Sequence, residues 1–361
     1  LQLNIELPAL KSMLAKLTGI VERKHTIPVL GNVALTAENN TLSGKTTDLD
    51  IEVTASTGAT VVKEGSITVP AQMLASIVSK LPAGALVSMD LKDHKLIVKA
   101  GRSKYQLETL PIEDFPHIAS VDYSHEFKAQ ATDLLRLFNL SKFAMSTEET
   151  RYYLNGVYLH TDQDSNILAV STDGHRFAKI TLPHDTEFPG VIVPRKTVTE
   201  LIKSLDIGEV KVSVSDTKIK FDLGDTVIVS KVIDGTFPDY TRIMPTDNRN
   251  VMIADASTMK AASDRASTIS DDRSRAVSIA ISSDTAVLTT RGALGDATEE
   301  VPVSYKGDPM SIGFNSKYLA DVLANCSGSD VRFELGSALS PAIIKPSDDD
   351  NALYIIMPMR A

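Results

Sequence analysis

Five consecutive residues, Thr172-Asp173-Gly174-His175-Arg176, bring together a hydroxyl, a carboxylate, an imidazole and a guanidinium. In a hydrolase these groups could act as nucleophile, orienting acid and base. Such catalysis needs the base within about 2.6–3.2 Å of the nucleophile, and a third group to orient it. Side chains this close in sequence on a strand and turn seldom converge in that way. The chain has no G-x-S-x-G elbow, no H-E-x-x-H pair and no G-x-x-x-x-G-K-[ST] phosphate loop, and no acidic cluster suggests paired magnesium ions. The residues therefore argue against an enzyme and call for no cofactor and no metal. A hydrolase centred on Asp173 and His175 is kept as an alternative.

Composition narrows the classes further. The chain has 361 residues, a formal net charge of −9, no Trp and 5% aromatics against 43% hydrophobic residues, so its cores must be aliphatic. The single cysteine, Cys326, can form no intrachain disulfide, which fits a reducing cytoplasmic setting. Its apolar neighbours, Leu319, Val322 and Leu323, favour a buried thiol over a reactive one. No apolar run reaches the roughly 18 residues of a membrane span, and the first residues, LQLNIELPALK, lack the pattern of a signal peptide.

The elements that must position these groups recur along the chain. A strand-like run leading into a helix begins near 1 (LQLNIELPALK), near 126 (HEFKAQATDLL) and near 251 (NVMIADASTMK). A second strand and helix follow in step at Ile67, Val191 and Ser311, with Leu74, Ile77, Val78 and Leu81 matching Val198, Leu201, Ile202 and Leu205 at helical spacing. Pro70 and Pro194 stand at favoured first-turn positions. Asp48 answers Asp173, and Phe115-Pro116 answers Phe237-Pro238. Runs such as KLIVKAG and KIKFDLG alternate and end in turn residues. The spacing predicts an α+β chain of three repeats, each with two helices and antiparallel sheets, at 1–122, 123–249 and 250–361.

Charge is unevenly spread. The six predicted helices, 7–21, 70–80, 132–143, 194–204, 257–269 and 315–325, hold eleven basic and four acidic residues, a net of +7 that leaves −16 for the remainder. If these helices share a face, that face attracts phosphate without reading bases, and salt weakens the hold. Ordinary solvated helix faces give the same count. Packed at roughly 8–10 Å, six helices cannot surround a duplex, whereas twelve from two chains enclose a hole about 30–38 Å across.

RYYLNGVYL at 151–159, TDGHRFA at 172–178, VPRKTVTEL at 193–201, DGTFPDYTRIMP at 234–245 and MPMR at 357–360 together resemble the beta subunit of bacterial DNA polymerase III, over the whole chain. The resemblance implies a DNA sliding clamp: a head-to-tail homodimeric ring with helices lining the hole, encircling double-stranded DNA without sequence preference. It implies a processivity subunit of a DNA-directed DNA polymerase, a nucleotidyltransferase holoenzyme, with no catalysis of its own. Implied partners are the replicative polymerase catalytic subunit, the clamp loader, other polymerases, ligase and mismatch-repair proteins. A ring-forming scaffold without DNA is the other alternative.

The same resemblance implies a pocket for short partner peptides. Its matching positions are Leu154, Thr172, Gly174, His175, Arg176 and Phe177, then Pro238, Arg242 and Ile243, then Asn315, Tyr318, Leu339 and Pro341, and finally Ile355, Met357, Pro358, Met359 and Arg360. Leu154, Phe177, Ile243 and Leu339 would form an apolar floor, Met357 and Met359 an adaptable wall, and Arg176, Arg242 and Arg360 would grip carbonyls or an acidic terminus. Read without the family, IIMPM is a plain core strand. For DNA the family pattern points to Lys24, Arg151, Tyr152, Tyr153, Arg195 and Lys196. The paired tyrosines can stack on a strand of DNA or serve as the core and edge of a β-strand. Gln72 stands where the family usually has arginine and Glu148 where it has glutamine, and Glu148 would repel phosphate. The resemblance also implies a dimer seam between the first domain of one chain and the third of the other, with Tyr105 and Leu107 from one edge strand and Thr268 and Ile269 opposite.

Overall fold

The computed structural model describes residues 1–22, 27–270, 275–326 and 328–360. The chain forms two compact units, Leu1–Leu135 with Glu187–Ile233, and Arg136–Thr186 with Asp234–Ala361. Six α-helices lie among the described residues: α1 (Leu7–Leu17), α2 (Ala71–Ser79), α3 (Ala131–Ser141), α4 (Arg195–Ser204), α5 (Ala256–Ala266) and α6 (Ser316–Ala324). These are the six expected, with shorter ends. α1 stops at Leu17, and α5 gives way to a 3-10 turn over Ser267–Ile269. Pro70 and Pro194 precede their helices as the capping residues and end the strands before them, one position earlier than expected.

The helices form because their apolar residues fall on one stripe. In α1, Leu7, Leu10, Met13, Leu14 and Leu17 are all buried. The stripe rests on a strand whose Gly44 makes room for it, since a β-carbon there would lie 2.4 Å from Leu17 Cδ1. Side-chain oxygens cap two helices of the second unit. Asp255 accepts from Thr258 N at 2.7 Å, and Asn315 accepts from Lys317 N and Tyr318 N.

The strands named below, among the described residues, pair antiparallel. In the first unit a five-stranded sheet runs Thr60–Lys63, Gln2–Glu6, Leu86–Lys92, Lys95–Ala100, Ser103–Glu108. An eight-stranded sheet runs His125–Gln130, Glu209–Val214, Lys218–Asp222, Thr226–Lys231, Ile51–Gly58, Thr41–Thr47, Asn32–Glu38, Gly65–Pro70. The first half of that sheet comes from the second repeat and the rest from the first. They meet where Ser230 faces Ile51 and Ile228 faces Val53.

The second unit repeats this device. Its sheet passes from Gly156–Thr161 through Ile167–Thr172 to Arg176–Leu182, and there takes on Ala352–Ile356 from the end of the chain. It continues through Ala342–Pro346, Asp330–Leu335, Asn250–Asp255, Gly295–Tyr305, Thr285–Gly292 and Ala276–Ile281 to Met310–Asn315. The middle repeat is thus divided between the units, each half completing a sheet begun by a neighbouring repeat. The landmark phenylalanines anchor the repeat ends: Phe115 packs with Val29 and Ala34, and Phe237 stacks on Tyr158 at 4.9 Å.

Candidate functional site: an apolar cleft in the second unit

The turn between Ile167–Thr172 and Arg176–Leu182 is built by Asp173. Its Oδ1 accepts from His175 N at 2.9 Å and from Arg176 N at 3.0 Å, an Asx turn that commits the carboxylate to the backbone. Thr172 Oγ1 donates to the Arg176 carbonyl at 2.7 Å and accepts from Gly174 N. Neither hydroxyl nor carboxylate is poised toward the His175 ring, which lies 6.2 Å from the Tyr318 ring in a near-parallel stack. The turn is a scaffold, and the hydrolase reading finds no support in it.

Gly174 has φ +89°, a conformation that favours glycine. A β-carbon there would stand 2.8 Å from Arg151 Nη1. The missing side chain lets the Arg151 guanidinium cross the turn, where it donates to the Asp173 carbonyl and pairs with Glu148 at 2.9 Å. Glu148 is therefore balanced by Arg151.

Arg176 is held in place by the chain itself. Asp173 and Asp321 both pair with it, and its guanidinium lies over the rings of Tyr318 (4.6 Å) and Phe143 (5.4 Å). Its Nε and Nη1 are thus engaged by carboxylates of the chain, which fixes the guanidinium in the wall of the cleft.

Above this base opens a cleft of about 630 Å³. Of the expected residues, Leu154, Thr172, Gly174, His175, Arg176, Phe177, Pro238, Arg242, Ile243, Pro341, Ile355 and Met357 line it. Arg151, Tyr153, Met244, Pro245 and Thr246 join them. Sequence reading placed Arg151 and Tyr153 with DNA and passed over 244–246. The Met-Pro continuation of DGTFPDYTRIMP was the available signal.

Phe177 and Leu154 are buried in the floor, while Ile243 is 50% and Met357 44% exposed. Asn315 caps α6 and so sets Tyr318 against the turn. Leu339 is 76% exposed and lies outside the lining, as do Pro358, Met359 and Arg360. The tail is nevertheless tied down, with Met357 N donating to the His175 carbonyl at 2.8 Å and Met359 N to that of Gly313 at 2.9 Å.

The loop carrying Pro238, Arg242 and Ile243 is held from beneath. Tyr240 bonds His160 Nε2 at 3.0 Å and packs on Phe177. Burial pushes the Tyr240 hydroxyl up to about 12 and holds His160 below the usual histidine range. Arg242 pairs with Asp239 and is largely exposed at the rim.

The expected DNA residues are scattered. Lys24 lies outside the described residues. Tyr152 is exposed, and Arg195 and Lys196 open α4. Burial opposes the Lys196 charge, but Asp48 and Glu22 outweigh it and hold the ammonium above its usual range. Gln72 donates to the Thr18 carbonyl at 3.1 Å, closing the end of α1. Of the expected seam residues, Tyr105 is at the surface of an edge strand, but Leu107 is already buried. Thr268 and Ile269 sit on the 3-10 turn that follows α5 directly after Ala266. Cys326 is buried, which pushes its thiol up to about 12. No group of three or more His, Cys, Asp or Glu is placed to hold a metal among the described residues.

Comparison with known proteins decides the family. Residues 1–119 match the N-terminal domain of the DNA polymerase III beta subunit, 129–239 its central domain and 241–360 its C-terminal domain. The chain belongs to the DNA polymerase III beta subunits, the sliding clamps. It is 42% identical to the beta sliding clamp of Caulobacter vibrioides and 34% identical to that of Escherichia coli, with 100% of each chain covered in both cases. The crystal structure of a Bartonella birtlesii sliding clamp bound to griselimycin superposes with a TM-score of 0.96 at 39% identity, covering 100% of this chain and 99% of that one. The three repeats are thus three clamp domains, and the function is that of a DNA sliding clamp.

Proposed function

We propose that this clamp works as a homodimeric ring on double-stranded DNA, in the cytoplasm, and that the cleft lined by Leu154, Phe177, Ile243 and Met357 receives short peptides of its partners. Those partners are the catalytic subunit of the replicative DNA polymerase, the clamp loader, other polymerases, ligase and mismatch-repair proteins. The clamp supplies processivity, and the nucleotidyl transfer of the holoenzyme takes place in another subunit. The domain boundaries are 1–122, 123–249 and 250–361.

The observation that carries this reading is the cleft. It is apolar at its floor, edged by the exposed guanidinium of Arg242, and walled by a methionine that can adjust to different side chains. A peptide with two or three large apolar residues and an acidic group suits that arrangement. Arg151 and Tyr153 serve the cleft wall in this reading, while Tyr152, Arg195 and Lys196 are left to DNA.

The hold on DNA is electrostatic and loose. Of the helix cations, Lys16, Arg136, Lys196, Lys203, Lys260 and Arg265 each pair with a carboxylate of the chain. Paired cations attract phosphate weakly and at no fixed spot, which permits sliding. Retention then rests on enclosure by a closed ring.

The test is a labelled peptide of the family's Gln-Leu-x-Leu-Phe type, titrated by fluorescence anisotropy. Saturable binding to the full chain and none to a chain lacking 357–361 is expected, with dimer mass unchanged. Equal affinity for both chains would exclude the cleft.

A further inference from the structure

The second residue of the second helix has a different fate in each repeat. In α2 it is Gln72, which donates to the Thr18 carbonyl. In α4 it is Lys196, which pairs with Asp48 and Glu22. In α6 it is Lys317, which is exposed and has no carboxylate partner among the described residues.

A pocket of about 330 Å³ opens beside Lys317, between the end of α5 and the start of α6. Arg275 lines it as well, and its guanidinium also has no carboxylate partner among the described residues. Arg275 has φ +45°, a left-handed conformation that glycine adopts more easily than any residue with a β-carbon. What arginine adds at that position is a guanidinium at the pocket.

Ser316, the first residue of α6, points to a ligand independently. It is only 6% exposed, it lines the pocket, and its hydroxyl makes no hydrogen bond among the described residues. A hydroxyl buried to that degree normally has a partner. The matching positions in the other repeats are Ala71 and Arg195, so this hydroxyl belongs to the third repeat alone.

The other polar groups at the pocket are already committed. Ser267 Oγ donates to the Asp264 carbonyl at 2.9 Å, and Ser270 Oγ to the Ser267 carbonyl at 2.7 Å. The Asp264 carboxylate pairs with Lys260 at 2.6 Å. Ser316 N donates to the Arg275 carbonyl, and Lys317 N and Tyr318 N to Asn315 Oδ1, so the first N–H groups of α6 are taken. A guanidinium, an ammonium and a hydroxyl remain, carrying two positive charges.

We propose that this pocket binds a phosphate dianion, free or as the terminal group of a nucleotide. A phosphomonoester carries about −1.5 to −2 charges near neutral pH and three acceptor oxygens, which matches two cations and a hydroxyl. The guanidinium can take two oxygens in a fork, and the ammonium acts as a point charge. The dipole of α6 adds attraction at its first turn. A phosphodiester of the DNA backbone carries a single charge and matches less well. The site is therefore distinct from the loose hold of the paired helix cations on DNA, and it does not depend on the ring.

The test is isothermal titration calorimetry of the full chain at low salt, with inorganic phosphate and with a nucleoside monophosphate. Saturable binding is expected, and Arg275→Gly and Lys317→Ala should each weaken it by roughly 10-fold or more. Ser316→Ala should weaken it as well. Arg275→Gly also relieves the backbone, so its melting temperature should hold or rise and its peptide affinity at the cleft should stay unchanged, which separates lost binding from lost folding. Tighter binding of the monophosphate assigns the pocket to nucleotide termini, and tighter binding of inorganic phosphate assigns it to the free ion. Dimethyl phosphate, a diester with one charge, should bind much more weakly than either. The site is overturned if dimethyl phosphate binds as well as phosphate, if affinity is unchanged in Arg275→Gly and Lys317→Ala, or if millimolar phosphate gives no saturable binding.

Discussion

Removing the two half-exposed apolar side chains of the cleft, Ile243→Ala with Met357→Ala, tests the docking surface most directly. Burying such a side chain completely stabilises by roughly 1.5–3 kcal/mol. With 50% of Ile243 and 44% of Met357 still exposed, a peptide can cover about half of each. The alanine retains part of that contact, so each change should weaken binding by roughly 0.7–1.2 kcal/mol. Together the loss is about 1.5–2.5 kcal/mol, or 10- to 70-fold in Kd. Anisotropy titration of the labelled peptide reads this directly. Because both side chains stand half in water, the melting temperature should change little. Leu339→Ala serves as the comparison, since Leu339 is more exposed but outside the lining, and should weaken binding far less. A double variant that binds within twofold of wild type, with its melting temperature intact, would refute the assignment of the cleft.

Other outcomes follow from the same geometry. Gly174→Ala forces an alanine to φ +89° and a β-carbon onto Arg151, so it should lower stability by about 1–2 kcal/mol and weaken peptide binding, whereas Arg151→Ala should weaken binding with a smaller change in melting temperature. His160 has a lowered pKa, so the folded chain takes up its proton at lower pH than the unfolded chain. The stability tied to neutral His160 is complete above the unfolded value of about 6.5 and declines as pH falls from there toward the folded value. Protonated Nε2 cannot accept from Tyr240, so peptide affinity should fall as pH drops through the lowered folded value, below about 6.5, and His160→Gln should flatten that pH profile. A loaded clamp should persist on closed circular DNA and leave linear DNA by its ends, measured by gel filtration. Equal retention on both would remove enclosure as the mechanism.

Much of the design was legible in the residues. The three-fold recurrence, the six helices and their apolar stripes follow from local spacing, because helical periodicity is written over a few turns and needs no distant partner. The cleft was legible mostly through resemblance. Leu154, Phe177, Pro238 and Met357 carry no local mark of a ligand site, and Ile355 and Met357 read by themselves as a core strand. Two guanidinium groups owe their positions to residues far along the chain. Arg176, expected at the ligand, pairs with Asp321, 145 residues away, and lies over the rings of Phe143 and Tyr318. Arg151, which the family pattern points to DNA, crosses the turn over the bare backbone of Gly174 and joins the cleft lining.

The sequence by itself determined which segments become helices and strands, the period at which they recur, and an aliphatic interior. The tertiary structure alone decided which repeat completes which sheet. Strand pairing is made by backbone groups common to every residue, so nothing local in Thr226–Lys231 names Ile51–Gly58 as its neighbour, nor anything in Ala352–Ile356 names Arg176–Leu182. Those pairings set the cleft and place Arg176 in its wall.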